Sequence, residues 1–339
     1  MAIWKFIRVT SQYKVVFQSR PKSVRRNIEA PFDEEKMMSW NRVEEDEEYN
    51  RAVNHYWRQV ALTDGFDVEG IKQPPHPLNY GGMICITVPE EGWWGPPFRR
   101  EVTLYARFGL HRFNMKEGTK WELDNIIKFN VRTRNLASTF FITLAADRRR
   151  QILQVRVDEI KNGSGRLDLV CSIAKVKGDR GEPTNVPTEH PLDFPCCSPM
   201  PSWPLDDDDY LQGLYLVEGS DLLDTHWIRL YLELAIERAE NNDDPDFSNL
   251  VIVKAVIDTA EKEAPLNAKN SILYIVFKGV VVRGVGADVE RKAVIKTDFN
   301  EQTGFLSIKG VVCRGPQDKR PRTFEEVIRS FRHPKRVAV

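Results

Sequence analysis

The chain is short of cysteine, balanced in charge and without a long apolar run. Five cysteines (Cys85, Cys171, Cys196, Cys197 and Cys313) are an odd count with no Cys-x-x-Cys pair. Two of them are adjacent, where a bridge would be strained. That argues against a disulfide framework and for reduced thiols inside the cell. Lys plus Arg equals Asp plus Glu at 49 each, so no global field draws the protein to nucleic acid or acidic lipid. No stretch approaches the ~18 apolar residues of a membrane helix, so the sequence offers no membrane contact of that kind. The six histidines (His55, His76, His111, His190, His226 and His333) are scattered, none at metal-ligand spacing from a cysteine or carboxylate. Phosphate-cradling glycine loops, nucleophile elbows and zinc-binding His pairs are missing. The expectation is therefore a chain with no catalytic residue, cofactor or metal. Its partner would be another protein rather than a small molecule, with nucleic acid a lesser alternative.

What is there begins with a basic extension. Residues 1–28 hold seven Lys or Arg and no acid before Glu29. This composition reads either as an organelle transit peptide or as an upstream extension without an address. Nucleus or cytoplasm is the expected location, with the mitochondrion as the reading if the extension is a transit peptide. Residues 29–80 form a helical segment. Trp40, Val43, Tyr49, Val53, Tyr56, Trp57 and Val60 recur at helical spacing, ending near Asp64-Gly65. A Pro-rich break and the short apolar run "MICITV" follow.

"VTLYARFGLHRFNMKEG" is the next helix. Val102, Ala106, Gly109 and Phe113 line one face, and Arg107, His111 and Arg112 take the other. Gly109 weakens the helix by up to ~1 kcal/mol, so close packing on something flat explains it. The flat partner follows in "KWELDNIIKFNVRTR", where Trp121, Leu123, Ile127, Phe129 and Val131 alternate with polar residues. "STFFITLAA", "QILQVRV" and "RLDLVCSIAKV" keep the two-residue period, with turn material between them. One helix and four antiparallel strands over 81–178 make an α+β unit.

Residues 179–209 are Pro-rich, acidic and aperiodic, and read as a linker or surface excursion. Asp206 to Asp209 lack the glycine and closing Glu of a calcium loop. Over 210–315 the earlier pattern returns. "LYARFGLHRF" from Leu104 aligns with "LYLELAIERA" from Leu230, and "IIK" from Ile126 with "IVK" from Ile252, both 126 residues on. "STFFITL" from Ser138 meets "SILYIVF" from Ser271, 133 on, so the second copy carries extra residues in its first hairpin. The tail, 316–339, is basic and reads as solvated, with a nuclear address or weak phosphate patch as the alternative.

The run Ala106, Arg107, Phe108, Gly109, Leu110, then Phe113 and Asn114, resembles the signature helix of plant cystatins. Over roughly residues 40 to 312 the chain resembles the crucifer-restricted Male Sterility Five family. The motifs that carry this are Gly65-Phe66-Asp67-Val68, "YARFGLHRFN", "GTKWEL", "FFITLAA" and "RLDLVCSIAK". The resemblance implies an α+β fold of two cystatin-like units, each one helix packed across an antiparallel β-sheet. It implies a role in male fertility and embryo development.

A cystatin inhibits by wedging a glycine-bearing N-terminal strand and two slim apolar hairpins into a protease cleft. The corresponding edge here would be Gly81, Gly82, Asn135, Leu136 and Ala137. The first hairpin reads "NVRTRNLAS" with no Gln-x-Val-x-Gly, and the second, "EIKNGSG", has no tryptophan. Arg132 and Arg134 are expected to be wet beside the tip, and burying an unpaired charge costs several kcal/mol. The main expectation is thus a protein-interaction protein, and the alternatives are a cysteine-protease inhibitor with a diverged edge and a nucleic-acid-associated protein acting through its tail.

Overall fold

The computed structural model describes residues 7–9, 12–14, 47–73, 82–88, 98–133, 137–160, 165–179, 200–203, 214–240, 245–260 and 264–315. Met1–Asn50 and Arg51–Val339 are separate compact units. In the first, β1 (Ile7–Val9) and β2 (Gln12–Lys14) pair antiparallel. The acidic amphipathic stretch forms helix α1 (Glu47–Leu62); Trp40 and Val43 lie outside the described residues. The helix stops where the sequence places its end. Gly65 donates its N–H to the Val60 carbonyl at 3.0 Å and takes φ +82°, and a Cβ there would strike the Phe141 ring at 2.5 Å.

The second unit is built on one antiparallel sheet of ten strands, in the order β3-β4-β5-β6-β7-β12-β11-β10-β9-β8. The first half holds β3 (Ile84–Thr87), helix α2 (Phe98–Glu117), β4 (Leu123–Thr133), β5 (Ala137–Ala146), β6 (Gln151–Ile160) and β7 (Leu167–Val176). The second repeats that order with β8 (Tyr215–Val217), short helix α3 (Gly219–Asp224), long helix α4 (His226–Ala239), β9 (Val251–Asp258), β10 (Ser271–Lys278), β11 (Arg291–Asn300) and β12 (Phe305–Val312). The class is α+β, as the periodicities require. One expectation changes: the two helices do not lie on separate sheets. The last strands of the halves pair with each other, Leu306 opposite Cys171, Ile308 opposite Leu169 and Gly310 opposite Leu167. The strand order therefore reads the same from either end, and the halves meet about an approximate two-fold axis.

One sheet face carries both long helices. Gly109 does what its spacing foretells: a Cβ there would sit 2.6 Å from the Val155 Cβ, so α2 lies directly on β6. In the second copy the equivalent Ala235 faces Gly310 of β12. The alternation expected for β4 slips by one. Ile126, not Ile127, enters the core with Phe129 and Val131, because pairing to β5 skips Ile127 between Ile126 and Lys128. The second copy skips Val253 between Ile252 and Lys254 in the same way. The repeated Ile-aliphatic-Lys tripeptide is thus a β-bulge made twice.

The other sheet face is covered by segments outside the repeat. Over the first half, Tyr56, Val60, Phe66 and Val68 pack with Phe141 and Ile173. Over the second, Met200 and Trp203 lie on Val256, Tyr274 and Val294. The end of the Pro-rich segment thus packs on the sheet as a strap.

The closeness of α2 to β6 has a testable sign. Gly109→Ala adds helix propensity worth ~1 kcal/mol but overpacks against Val155 by roughly 1–3 kcal/mol. We expect Gly109→Ala alone to lower stability in urea denaturation, and the same change in a Val155→Ala background to raise it.

Candidate functional site

Three places have functional content: the edge singled out by the cystatin resemblance, the seam between the helices, and the ends of the sheet. At the first, Gly82 sits against the Gln73 side chain, whose Nε2 donates to the Met83 carbonyl at 2.9 Å. Ala137 is buried at the start of β5. Gly81, Asn135 and Leu136 lie outside the described residues, as does Arg134. Arg132 is not simply wet. It is partly buried, with its guanidinium 3.7 Å from the centre of the Trp57 ring.

The seam corrects the reading of α2. Arg107, His111 and Arg112 were assigned the face away from the sheet, and all three turn toward the second half. The helices run antiparallel: Arg100 approaches Glu237, Phe108 meets Tyr231 and His111 meets Trp227. Arg107 Nη1 lies 2.7 Å from Glu233 Oε2, and Arg229 Nε bonds the other carboxylate oxygen at 2.9 Å. Arg229 also donates to the Leu250 and Phe247 carbonyls, both at 2.9 Å. Buried Arg112 donates from Nε to the Gly304 carbonyl at 2.6 Å, beneath the β11–β12 turn. Its repeat counterpart, Arg238, pairs with buried Glu159 at 2.6 Å. The signal for these contacts lay in the repeat: Arg107 and Glu233 are equivalent positions of opposite charge.

Two groups in the seam, Glu101 and His111, are shifted within the range between about pH 4 and 7. Glu101 accepts the Tyr105 hydroxyl at 3.2 Å. Burial, with the Glu159 charge adding to it and Arg238 opposing, pushes its pKa up to about 7. His111, stacked on Trp227 and edge-on to Tyr231, is pushed down to about 4 by burial and is neutral at physiological pH. An open groove of about 1670 Å³ runs beside the seam, lined by Arg107, Leu110, His111, Trp121, Trp227 and Leu230 among others. Among the described residues no group of His, Cys, Asp or Glu is arranged to hold a metal ion. No helix among them is long and apolar enough to cross a membrane.

At the β8–β9 end of the sheet an aliphatic band stays open. Leu216 and Val251 are each 50% exposed, and Val253 is 44% exposed. Sequence reasoning missed this band, although the second copy's "LYLVEGS" meets a charge and a glycine sooner than "MICITVPE" does.

A family model described as Protein MS5 matches residues 200–308. The UPF0725 protein At1g02770 of Arabidopsis thaliana is 39% identical over 280 residues, covering 78% of this chain and 84% of the relative. A second Arabidopsis protein, the putative UPF0725 protein At1g28500, is 35% identical, covering 86% and 96%. This chain belongs to the MS5 family of plant proteins. The crystal structure of MS5 from Brassica napus superposes with a TM-score of 0.50 at 25% identity, over 64% of this chain and 99% of that one. The motifs that suggested the MS5 family turn out to be joints. Asn114 Oδ1 accepts from the Trp121 N–H and the Thr119 hydroxyl, its Nδ2 donates to the Trp121 carbonyl, and Phe113 stacks on Trp121 at 4.9 Å. Asp67 pairs with Lys128 and Lys177, fastening the loop after α1 to the sheet.

The two shifted groups oppose each other across one pH window. Folded Glu101 keeps its proton to about pH 7 while the unfolded chain loses it near 4.5, so its contribution to stability falls as pH rises between those values. Folded His111 refuses a proton down to about pH 4 while the unfolded chain takes one near 6.5, so its contribution falls as pH drops. We expect Glu101→Gln to unmask the histidine, giving stability that rises from pH 4.5 to 6.5 relative to wild type. His111→Phe should do the reverse, each by roughly 1–3 kcal/mol in urea melts. Parallel profiles for all three proteins would contradict this.

Proposed function

We propose that this MS5-family chain is a non-enzymatic protein-interaction protein of plant reproductive or embryonic development, made of two cystatin-like units fused through a shared sheet. The observation that carries the reading is the exposure of Leu216, Val251 and Val253 on the two strands at one end of the sheet. The state of the reactive side chains supports it too. Burial pushes the Cys171 thiol up to about 12 and the Cys85 thiol up to about 11, leaving both poor nucleophiles. His111 is neutral and packed between aromatic rings, and the seam arginines are committed to Glu233 and Gly304. The developmental setting comes from family membership.

The direct test is to purify the tagged full chain from developing flowers and rebuild any retained complex from purified components. A stoichiometric complex is expected; the chain emerging alone from repeated purifications would overturn the reading. A second measurement separates it from protease inhibition. Cystatin affinity comes from desolvated apolar contacts, and Arg132 brings a guanidinium beside the tip of the first hairpin, where it lies over Trp57. Each buried unpaired charge costs several kcal/mol, and every ~1.4 kcal/mol is tenfold in dissociation constant. We expect no submicromolar inhibition when the chain is titrated against papain with a fluorogenic peptide. Submicromolar inhibition would establish the inhibitor alternative.

A further inference from the structure

The two ends of the sheet are finished differently. At the first, β3 covers β4 from Lys128 to Val131, and the Val88 N–H extends the pairing to the Ile127 carbonyl at 3.1 Å. At the second, β8 covers β9 only from Ala255 to Ile257, after which the chain turns into α3 at Gly219. Val251, Ile252 and Lys254 pair with β10 on one side, and among the described residues nothing pairs with the other side of this stretch. It is aliphatic and exposed at Val251 and Val253.

The charges in cross-strand register with it are basic. Val276 on β10 has Lys254 and Lys292 as its two cross-strand neighbours, and Lys278 stands opposite Val251. Lys292 lies over the Trp203 ring at 4.6 Å. Among the described residues, neither Lys254 nor Lys278 has a carboxylate partner.

We propose that Val251–Lys254 is a docking edge for an extended segment of a partner protein, one that alternates aliphatic and acidic side chains and adds as an eleventh strand. The proposal rests on the interaction reading above and specifies the partner's chemistry. Backbone hydrogen bonds would supply affinity, as in strand addition generally. The lysines supply selection. A second copy pairing antiparallel across Val251–Lys254 would place Lys254 opposite Val251, with Lys278 one strand further in, and so gathers like charge, whereas a carboxylate opposite Lys254 is attracted. The bulge at Val253 twists the edge and restricts the register a partner can adopt.

The test uses the full chain and two fluorescein-labelled octapeptides, one alternating Glu and Val and one alternating Lys and Val. Fluorescence anisotropy should show the Glu–Val peptide binding, with hydrogen exchange slowed at Val251–Lys254. Val253→Lys should weaken binding at least about tenfold. Lys254→Glu, a charge reversal at a half-buried edge position, should weaken it similarly and transfer preference to the Lys–Val peptide. Three results would overturn the proposal: no Glu–Val binding at ~1 mM peptide, unchanged affinity in both variants, or a wild-type dimer that Val253→Lys splits. Failure here is separable from failure of the broader reading. A native partner that binds Val253→Lys as well as wild type removes this edge and leaves the interaction role standing. Peptide binding without any native partner does the opposite.

Discussion

The antiparallel pairing of β7 with β12 is the contact on which the rest of the second unit depends. It joins the last strands of two repeated halves, so each half loses an exposed edge and the sheet becomes continuous. It also sets where the helices must go. With the strands paired about an approximate two-fold, α2 and α4 fall side by side on one face and run antiparallel. A helix surface that would face water in a lone unit becomes an internal boundary. Arg107, His111 and Arg112 are polar because of that boundary rather than because of solvent.

A polar boundary inside a compact unit needs its charges answered. Glu233 is buried and receives two guanidinia, one from each half. Arg112 and Arg238, equivalent positions, each reach across to the turn or strand end of the opposite half. Such pairs contribute less net stability than apolar packing would, because desolvation offsets attraction. Their effect is on geometry: an apolar seam could slide, whereas matched donors and carboxylates accept one alignment. The neutral imidazole of His111 belongs to the same arrangement, since its ring is used for stacking.

Much of this was legible in the sequence, and the gaps have physical causes. The repeat offset located both helices, because equivalent packing leaves equivalent apolar spacing. Gly109 foretold close approach to a flat partner, and Val155 is that partner. The alternation in β4 misassigned Ile127 because a bulge inserts a residue without altering composition; only comparison with Ile252-Val253-Lys254 would have exposed it. The face of α2 carrying Arg107 was misjudged because helical periodicity separates polar from apolar but cannot say whether polar means water or a neighbouring carboxylate. The joining of the two sheets was invisible, since Leu169 and Ile308 read as ordinary core residues of any strand. The open edge at β9 was missed because it arises from β8 stopping early, a property of pairing rather than of any residue type.

The opposite charges of Arg107 and Glu233 also bear on how the chain assembles during synthesis. Both sit at the same place in their repeats, beside the approximate axis. Two first halves meeting through this surface would bring arginine against arginine, and two second halves would bring glutamate against glutamate. Only a first half with a second half satisfies both. A repeat protein whose copies are alike is exposed to exchange between neighbouring chains on the ribosome. Here the polarity of one residue pair favours the union of unlike halves, and the covalent connection between them makes the nearest such partner the one on the same chain.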